Sequence, residues 1–149
     1  MRPSRETWIG VGTLALATAA MAVDHLFGND PESDDSFPVD PVAFAISVGI
    51  SALLAAFLFG RVVPRAKARG AESERTAVHA ALCSGLAAVP GLGFLWLGFP
   101  LVLAGGGVAL GLLGRRSRRR RLATVAIVVG ALVVALGAGS YLAGVVRDA

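Results

Sequence analysis

Long apolar runs separated by short charged segments dominate this chain, and the longest run constrains the fold most. Residues 77–114 form a stretch of 38 residues without an Asp, Glu, Lys or Arg. As one helix this stretch would be about 57 Å long, nearly twice the roughly 30 Å hydrocarbon core of a bilayer. Turn-forming residues at Pro90-Gly91 and Gly98-Phe99-Pro100 therefore predict a helical hairpin, with the turn within residues 90–100.

Three other apolar runs are each long enough to cross the hydrocarbon core as a helix. The chain is 55% hydrophobic and 16% charged, whereas a soluble domain carries about 25% charged residues. The runs also lack the polar face that a core helix of a soluble protein presents to water. The sequence therefore predicts an all-α integral membrane helical bundle, one domain with five transmembrane helices spanning residues 8–27, 41–63, 77–95, 98–114 and 122–146.

The distribution of charge predicts the orientation of the bundle. Residues 28–40 carry only acidic charges, whereas residues 61–76 and 115–121 are predominantly basic. Cytoplasmic loops of membrane proteins carry the excess of Lys and Arg. Five spans with a cytoplasmic N-terminus place all 14 basic residues except Arg147 on the cytoplasmic side, while four spans would put the 115–121 segment outside. We therefore expect an acidic outer loop and an extracytoplasmic C-terminus. The bias towards Arg, Ala, Gly and Val favours a bacterial cytoplasmic membrane.

The first run admits a second interpretation. Arg2 and Arg5 precede it, and Ala20-Met21-Ala22 falls near its end, as in a secretory signal peptide whose mature chain would begin at Val23. We expect a retained span, with cleavage as the alternative.

The second run leads into a basic connection. Pro64 is expected to help end the helix, because proline lacks an N–H group and disrupts a helix interior. Residues 61–76 would then form a polar connection that is partly an interfacial helix.

Six arginines lie in seven consecutive residues between the fourth and fifth spans. A topological anchor is the first interpretation, since the charge bias alone accounts for it. These side chains are also candidate contacts for anionic lipid headgroups, because arginine binds phosphate through two parallel hydrogen bonds. The flanking apolar spans make a nucleic-acid partner an unnecessary explanation. The candidate lipid contacts are Arg115, Arg116, Arg118, Arg119, Arg120 and Arg121.

Small residues recur at helical spacing in the last two spans. Such residues let helix backbones approach closely in lipid, where dispersion then holds them together. The first interpretation of these small residues is helix contact within one bundle, and the second is a dimerisation face. In the last span, small residues also recur every four positions, at Ala131, Ala135, Gly139 and Ala143. The candidate packing face is formed by Gly107, Gly111, Gly130, Gly137 and Gly144.

The few polar residues within the runs predict no catalytic, cofactor or metal site. Asp24 and His25 lie near the end of the first span, where water and headgroups can solvate them. His79 and Cys83 share a helix face, but two ligands are fewer than zinc requires. The absence of an ionisable residue at mid-span favours a non-enzymatic accessory, scaffold or assembly protein, with a homo-oligomer or a membrane protein as partner. The alternative is a subunit of an oligomeric transporter for small molecules or ions.

The C-terminal third combines a Gly-rich span, an Arg-rich turn and a span rich in Ala, Gly and Val. Residues 101–114 and the arginines before Leu122-Ala123-Thr124-Val125-Ala126 carry this pattern. It resembles small uncharacterised multi-spanning bacterial membrane proteins of actinobacterial type. The resemblance implies a membrane hairpin and no particular activity.

Overall fold

The computed structural model describes residues 5–27, 41–70, 73–91 and 98–147, and every regular element within these ranges is helical. The all-α class is therefore confirmed for this part of the chain. The acidic segment 28–40 and residues 92–97 of the expected turn lie outside the described residues. The helices are α1 (Arg5–Phe27), α2 (Pro41–Phe57), α3 (Val63–Ala68), α4 (Glu74–Gly91), α5 (Phe99–Gly114) and α6 (Arg120–Arg147).

A π-helical turn, Leu58–Val62, joins α2 to α3 without a break. The N–H of Val63 donates to the carbonyl of Leu58, five residues earlier. Pro64 follows this turn in the first turn of α3. A proline ring would clash with the carbonyl four residues before it in a regular α-helix, and the wider π-helical turn gives that carbonyl more room. The expectation that Pro64 helps end the helix was therefore wrong, because the chain stays helical to Ala68.

Helices α4 and α5 form an antiparallel pair. Gly114, at the end of α5, lies against Ala77 near the start of α4. Farther along the pair, Gly107 lies against Ser84. Residue numbers thus rise along one helix as they fall along the other.

Helix α6 runs back along this pair. It is antiparallel to α5, since Gly111 contacts Ile127 and Gly130 contacts the carbonyl of Ala104. It is parallel to α4, whose Ser84 lies beside Ala126. Helices α4, α5 and α6 therefore pack against one another near the middle of α5.

The first two helical segments cover the other side of α5. Gly105 of α5 lies against Thr13 of α1, and Gly98 lies against Met21, so α1 and α5 are antiparallel. Gly106 lies against Leu58, at the start of the π-helical turn. As a result α5 contacts α1, α2, α4 and α6 and is the central helix.

Five segment ends meet at one end of the bundle, which we call the basic end. Lys67 Nζ lies 3.5 Å from Glu6 Oε2 and links the end of α3 to the start of α1. Arg119 Nε lies 3.2 Å from Glu74 Oε2 and links the start of α4 to the turn before α6. Because α5 also ends here, each successive helical segment runs opposite to the one before it.

The described part of the chain contains two helices that are long and apolar enough to cross a membrane. They are Phe44–Ala68, with 25 residues, and Arg120–Ser140, with 21 residues. Helix α5 is also apolar but has only 16 residues.

Candidate functional site

Ser84 is the polar centre of the contact between α4, α5 and α6. Its side chain is only 1% exposed, and its hydroxyl donates to the carbonyl of Ala126 over 2.7 Å. A carbonyl within a helix already accepts the N–H four residues on, so this hydroxyl adds a second bond and is itself satisfied. Ser84 therefore ties α4 to α6 at a point where an unpaired hydroxyl would be costly.

Glycines on the neighbouring helices make room for Ser84. A Cβ atom at Gly107 would overlap Ser84 Oγ. A Cβ atom at Gly130 would lie 2.8 Å from the Ala104 carbonyl oxygen and 3.3 Å from Ser84 Oγ. A side chain would not fit at Gly107 or Gly130, because backbone atoms of Ser84 and Ala104 are among the atoms that it would meet.

The other predicted packing glycines have different surroundings. A Cβ atom at Gly111 would lie 2.7 Å from Ile127 and 2.9 Å from the Ala123 carbonyl oxygen. Gly137 is buried, while Gly144 lies in α6 with surroundings outside the described residues. Gly107, Gly111 and Gly130 thus lie between helices of the same chain.

A second stripe of small residues faces away from the bundle. Ala131, Ala135 and Gly139 are exposed, and no atom lies within 4 Å of a Cβ built at Gly139. The dimerisation face remains a prediction for this stripe.

Helix α1 is packed into the core rather than lying beside it. Ala17, Ala20 and Met21 are buried, with exposed fractions of 0 to 3%. Gly10 lies against the ring of Phe59 on the π-helical turn. A Cβ atom at Gly10 would lie 2.6 Å from Cγ of that ring. The sequence gives no sign of this contact, because Gly10 and Phe59 are 49 residues apart.

The predicted arginine cluster forms the connection between α5 and α6. All six arginines are exposed. Ser117, in their midst, is 3% exposed, and its N–H donates to the Gly114 carbonyl over 3.0 Å. The N–H of Arg120 in turn donates to the Ser117 carbonyl over 3.1 Å. This tight turn directs the guanidinium groups outwards around the basic end.

Arg119 of this cluster lies close in space to basic residues that are far from it in the sequence. A cavity of about 400 Å³ lies between the end of α3, the start of α4 and the turn before α6. We call it the cationic groove. It is lined by Arg69, Glu74, Arg75, Val78, His79 and Arg119.

The cationic groove was not predicted from the sequence. Arg69 and Arg119 are 50 residues apart, and only the packing of α4 against α5 and α6 brings their segments together. Arg75 and His79 gave a weak local signal, since residues four apart share one helix face.

A second cavity of about 420 Å³ lies at the same end and differs in lining. Arg115 and Arg116 line it together with Leu112 and Leu113. Its basic residues are neighbours in sequence, so it offers a comparison with the cationic groove.

The described residues contain no group of three or more His, Cys, Asp or Glu side chains that could hold a metal ion. His79 is exposed and Cys83 is half-buried on α4. Asp24 and His25 lie in α1, with side chains outside the described set. The buried polar side chains of the described residues are those of Thr13, Ser51, Thr76, Ser84 and Ser117, so none of them is ionisable.

Comparison of the chain with protein-family models, curated proteins and solved structures found no match.

Proposed function

We propose that this chain is an integral membrane protein with five spans that acts without catalysis, as an accessory, scaffold or assembly partner in a bacterial cytoplasmic membrane. The observation that carries the membrane assignment is the exterior of the bundle. Sixteen large hydrophobic side chains are exposed among the described residues, including Leu53 at 73% and Val89 at 81%. A soluble monomer rarely exposes apolar patches beyond a few hundred Å².

The same exterior argues against a soluble core. A core helix of a soluble protein can be just as long and apolar, but it is mostly buried. Here only 22% of the most apolar window of Phe44–Ala68 is buried, and only 28% of that of Arg120–Ser140. Lipid is the solvent in which such helices are stable, because every backbone polar group is satisfied within the helix.

The interior is of the kind that lipid-embedded bundles use. Lipid tails remove the hydrophobic drive for helix association, so close backbone packing and hydrogen bonds between helices must hold a bundle together. Gly107, Gly111 and Gly130 supply that packing, and Ser84 supplies the hydrogen bond.

The direction of the helices and the distribution of charge support five spans and a cytoplasmic N-terminus. Successive helical segments alternate in direction, and both basic connections lie at the basic end, which becomes the cytoplasmic end. Helix α5 would reach only about 24 Å across the roughly 30 Å core. Its shortness is tolerable, because four neighbouring helices pack around it and most of its residues are buried.

An accessory role is favoured over transport by the buried polar side chains of the described residues, none of which is ionisable. Transporters for ions or protons carry ionisable groups within the membrane, whereas the buried polar side chains in the described ranges are hydroxyls. An oligomeric transporter would need to form its pathway between chains. The exposed Ala131, Ala135 and Gly139 stripe is the face on which either a partner helix or a second copy would pack.

The membrane assignment is tested by fractionation. The chain should remain with bacterial membranes after an alkaline carbonate wash and should need detergent for extraction. Recovery in the wash would refute the proposal.

The role is tested by copurification in mild detergent from native membranes, using two matched variants. Ala135→Leu enlarges the exposed small-residue stripe of α6, and Ala52→Leu makes the same change on the exposed face of α2. An accessory protein should retain a stoichiometric membrane partner in the wild-type chain and in Ala52→Leu, and lose it in Ala135→Leu. Ion flux through liposomes containing only this chain would instead favour the transporter.

A further inference from the structure

Three guanidinium groups from three separate segments surround the cationic groove. Arg69 comes from the end of α3, Arg75 from the first turn of α4, and Arg119 from the turn before α6. Glu74, the one carboxylate among the described lining residues, is paired with Arg119 at 3.2 Å. Arg69 and Arg75 have no ion pair with any described carboxylate. Among the described residues that line the groove, the positive charges of Arg69 and Arg75 therefore have no carboxylate partner.

The chemistry of the lining matches a phosphate group. Arginine presents two parallel N–H donors in a plane, which fits a phosphate better than the point charge of lysine does. His79 lies one helical turn beyond Arg75 and adds a ring N–H donor. The start of α4 also faces the groove, and the N-terminal end of a helix carries partial positive charge. A cavity of about 400 Å³ has room for a headgroup as well as a simple ion.

An apolar track leads away from the groove along α4. Leu82, Leu86 and Val89 are 56%, 60% and 81% exposed. They follow Arg75 and His79 at spacings of three and four residues, which place them along one side of the helix. Polar donors at the basic end thus continue directly into an exposed apolar surface. A free phosphate ion would use only the first part of this surface, whereas a phospholipid would use both.

We infer that the cationic groove binds the phosphate headgroup of an anionic phospholipid, whose acyl chains lie along Leu82, Leu86 and Val89. This inference rests on the proposed membrane topology, in which the basic end lies at the cytoplasmic surface. A single site that binds one lipid molecule differs from a general enrichment of anionic lipid around the arginine cluster of residues 115–121. Two of its three arginines, Arg69 and Arg75, lie outside that cluster.

The test compares two double variants that each remove two positive charges from the basic end. Arg69→Gln with Arg75→Gln alters the cationic groove, and Arg115→Gln with Arg116→Gln alters the second cavity. Full-length protein extracted from membranes and freed of lipid is titrated with phosphatidylglycerol in nonionic detergent. Native mass spectrometry measures the fraction that retains one lipid. Circular dichroism and a reporter fused to the C-terminus check that helicity and topology are unchanged.

The groove variant should bind phosphatidylglycerol roughly 30-fold more weakly, since each basic residue beside an anionic lipid contributes about fivefold. The control variant should change affinity less than about threefold, because its residues do not line the site. Glu74→Gln should strengthen binding by releasing Arg119 from its ion pair. Equal losses in the two double variants, or no loss in either, would overturn the inference.

Competition with inorganic phosphate distinguishes a phospholipid headgroup from a free phosphate ion as the ligand of the cationic groove. A lipid site predicts that inorganic phosphate neither displaces phosphatidylglycerol nor raises the unfolding temperature. If inorganic phosphate displaced phosphatidylglycerol, and if only the groove variant weakened this displacement, the groove would be assigned to a soluble phosphate. That result would overturn the lipid assignment. Failure of the proposed function is separately visible: a chain that is not integral to the membrane would appear in the carbonate wash, and a chain of opposite orientation would place the C-terminal reporter in the cytoplasm.

Discussion

Gly130→Ala should destabilise the bundle, although alanine is the better helix former. A Cβ atom at this position would lie 2.8 Å from the Ala104 carbonyl oxygen and 2.9 Å from Val108 Cγ2. Observed Cβ contacts are essentially never shorter than 3.0 Å, and a backbone oxygen cannot rotate away. Helices α5 and α6 must therefore separate, which costs about 1–3 kcal/mol by analogy with overpacked cores.

Two further terms set the net size of the effect. Separation of α6 also lengthens the hydrogen bond from Ser84 to Ala126, and such bonds between membrane helices average about 0.6 kcal/mol. Replacement of glycine by alanine within a helix returns about 0.5–1 kcal/mol. The expected loss in free energy of unfolding is therefore about 1–3 kcal/mol.

Gly139→Ala is the matched control on the same helix. No atom lies within 4 Å of a Cβ built at Gly139, so only the helix-propensity term applies. Its free energy of unfolding should be unchanged or raised by up to about 1 kcal/mol. Unfolding in mixed micelles of rising dodecyl sulfate content, followed by circular dichroism, measures both variants. If Gly130→Ala proved as stable as Gly139→Ala, the close packing assigned to Gly130 would be refuted.

Three other predictions concern Ser84, the N-terminus and the arginine cluster. Ser84→Ala should lower the free energy of unfolding by about 0.6 kcal/mol, and by no more than roughly 1.7 kcal/mol; a larger loss in the mixed-micelle assay would mean that Ser84 does more than bond Ala126. N-terminal sequencing should find α1 retained, because cleavage before Val23 would remove the buried Met21; a chain beginning at Val23 would establish the signal-peptide alternative. Bilayers with anionic lipid should raise the unfolding temperature relative to zwitterionic ones, and Gln at four arginines of residues 115–121 should remove most of that gain; equal temperatures in both lipids would leave the cluster as a topology signal alone.

The helical class could be predicted because it depends on local features of the sequence. Apolar runs of 20 residues or more are readable without knowledge of any partner helix. Pro90-Gly91 and Gly98 mark the interruption of residues 77–114, and the structure has α4 ending at Gly91 and α5 beginning at Phe99. The effect of Pro64 was misjudged, because a π-helical turn just before a proline leaves no pattern in side-chain hydrophobicity.

Features that depend on how helices rotate and pack could not be predicted. Ser84 lies within an apolar run of the sequence, and its importance comes from Gly107 and Gly130 on two other helices. The cationic groove likewise combines Arg69 and Arg75 with an arginine from a remote turn. The six arginines of residues 115–121 are recognisable because they are adjacent in the sequence, whereas the residues of the groove are adjacent only in space.

In the topology that we propose, five helical segments cross the membrane with the basic end in the cytoplasm. Alkaline phosphatase, which is active only outside the cytoplasm, tests it most directly when fused after Ala149 and, in a separate fusion protein, inserted near Ser117. We expect activity for the fusion after Ala149 and none for the insertion near Ser117. An inactive fusion after Ala149, with the protein intact and in the membrane, would contradict the five-span topology.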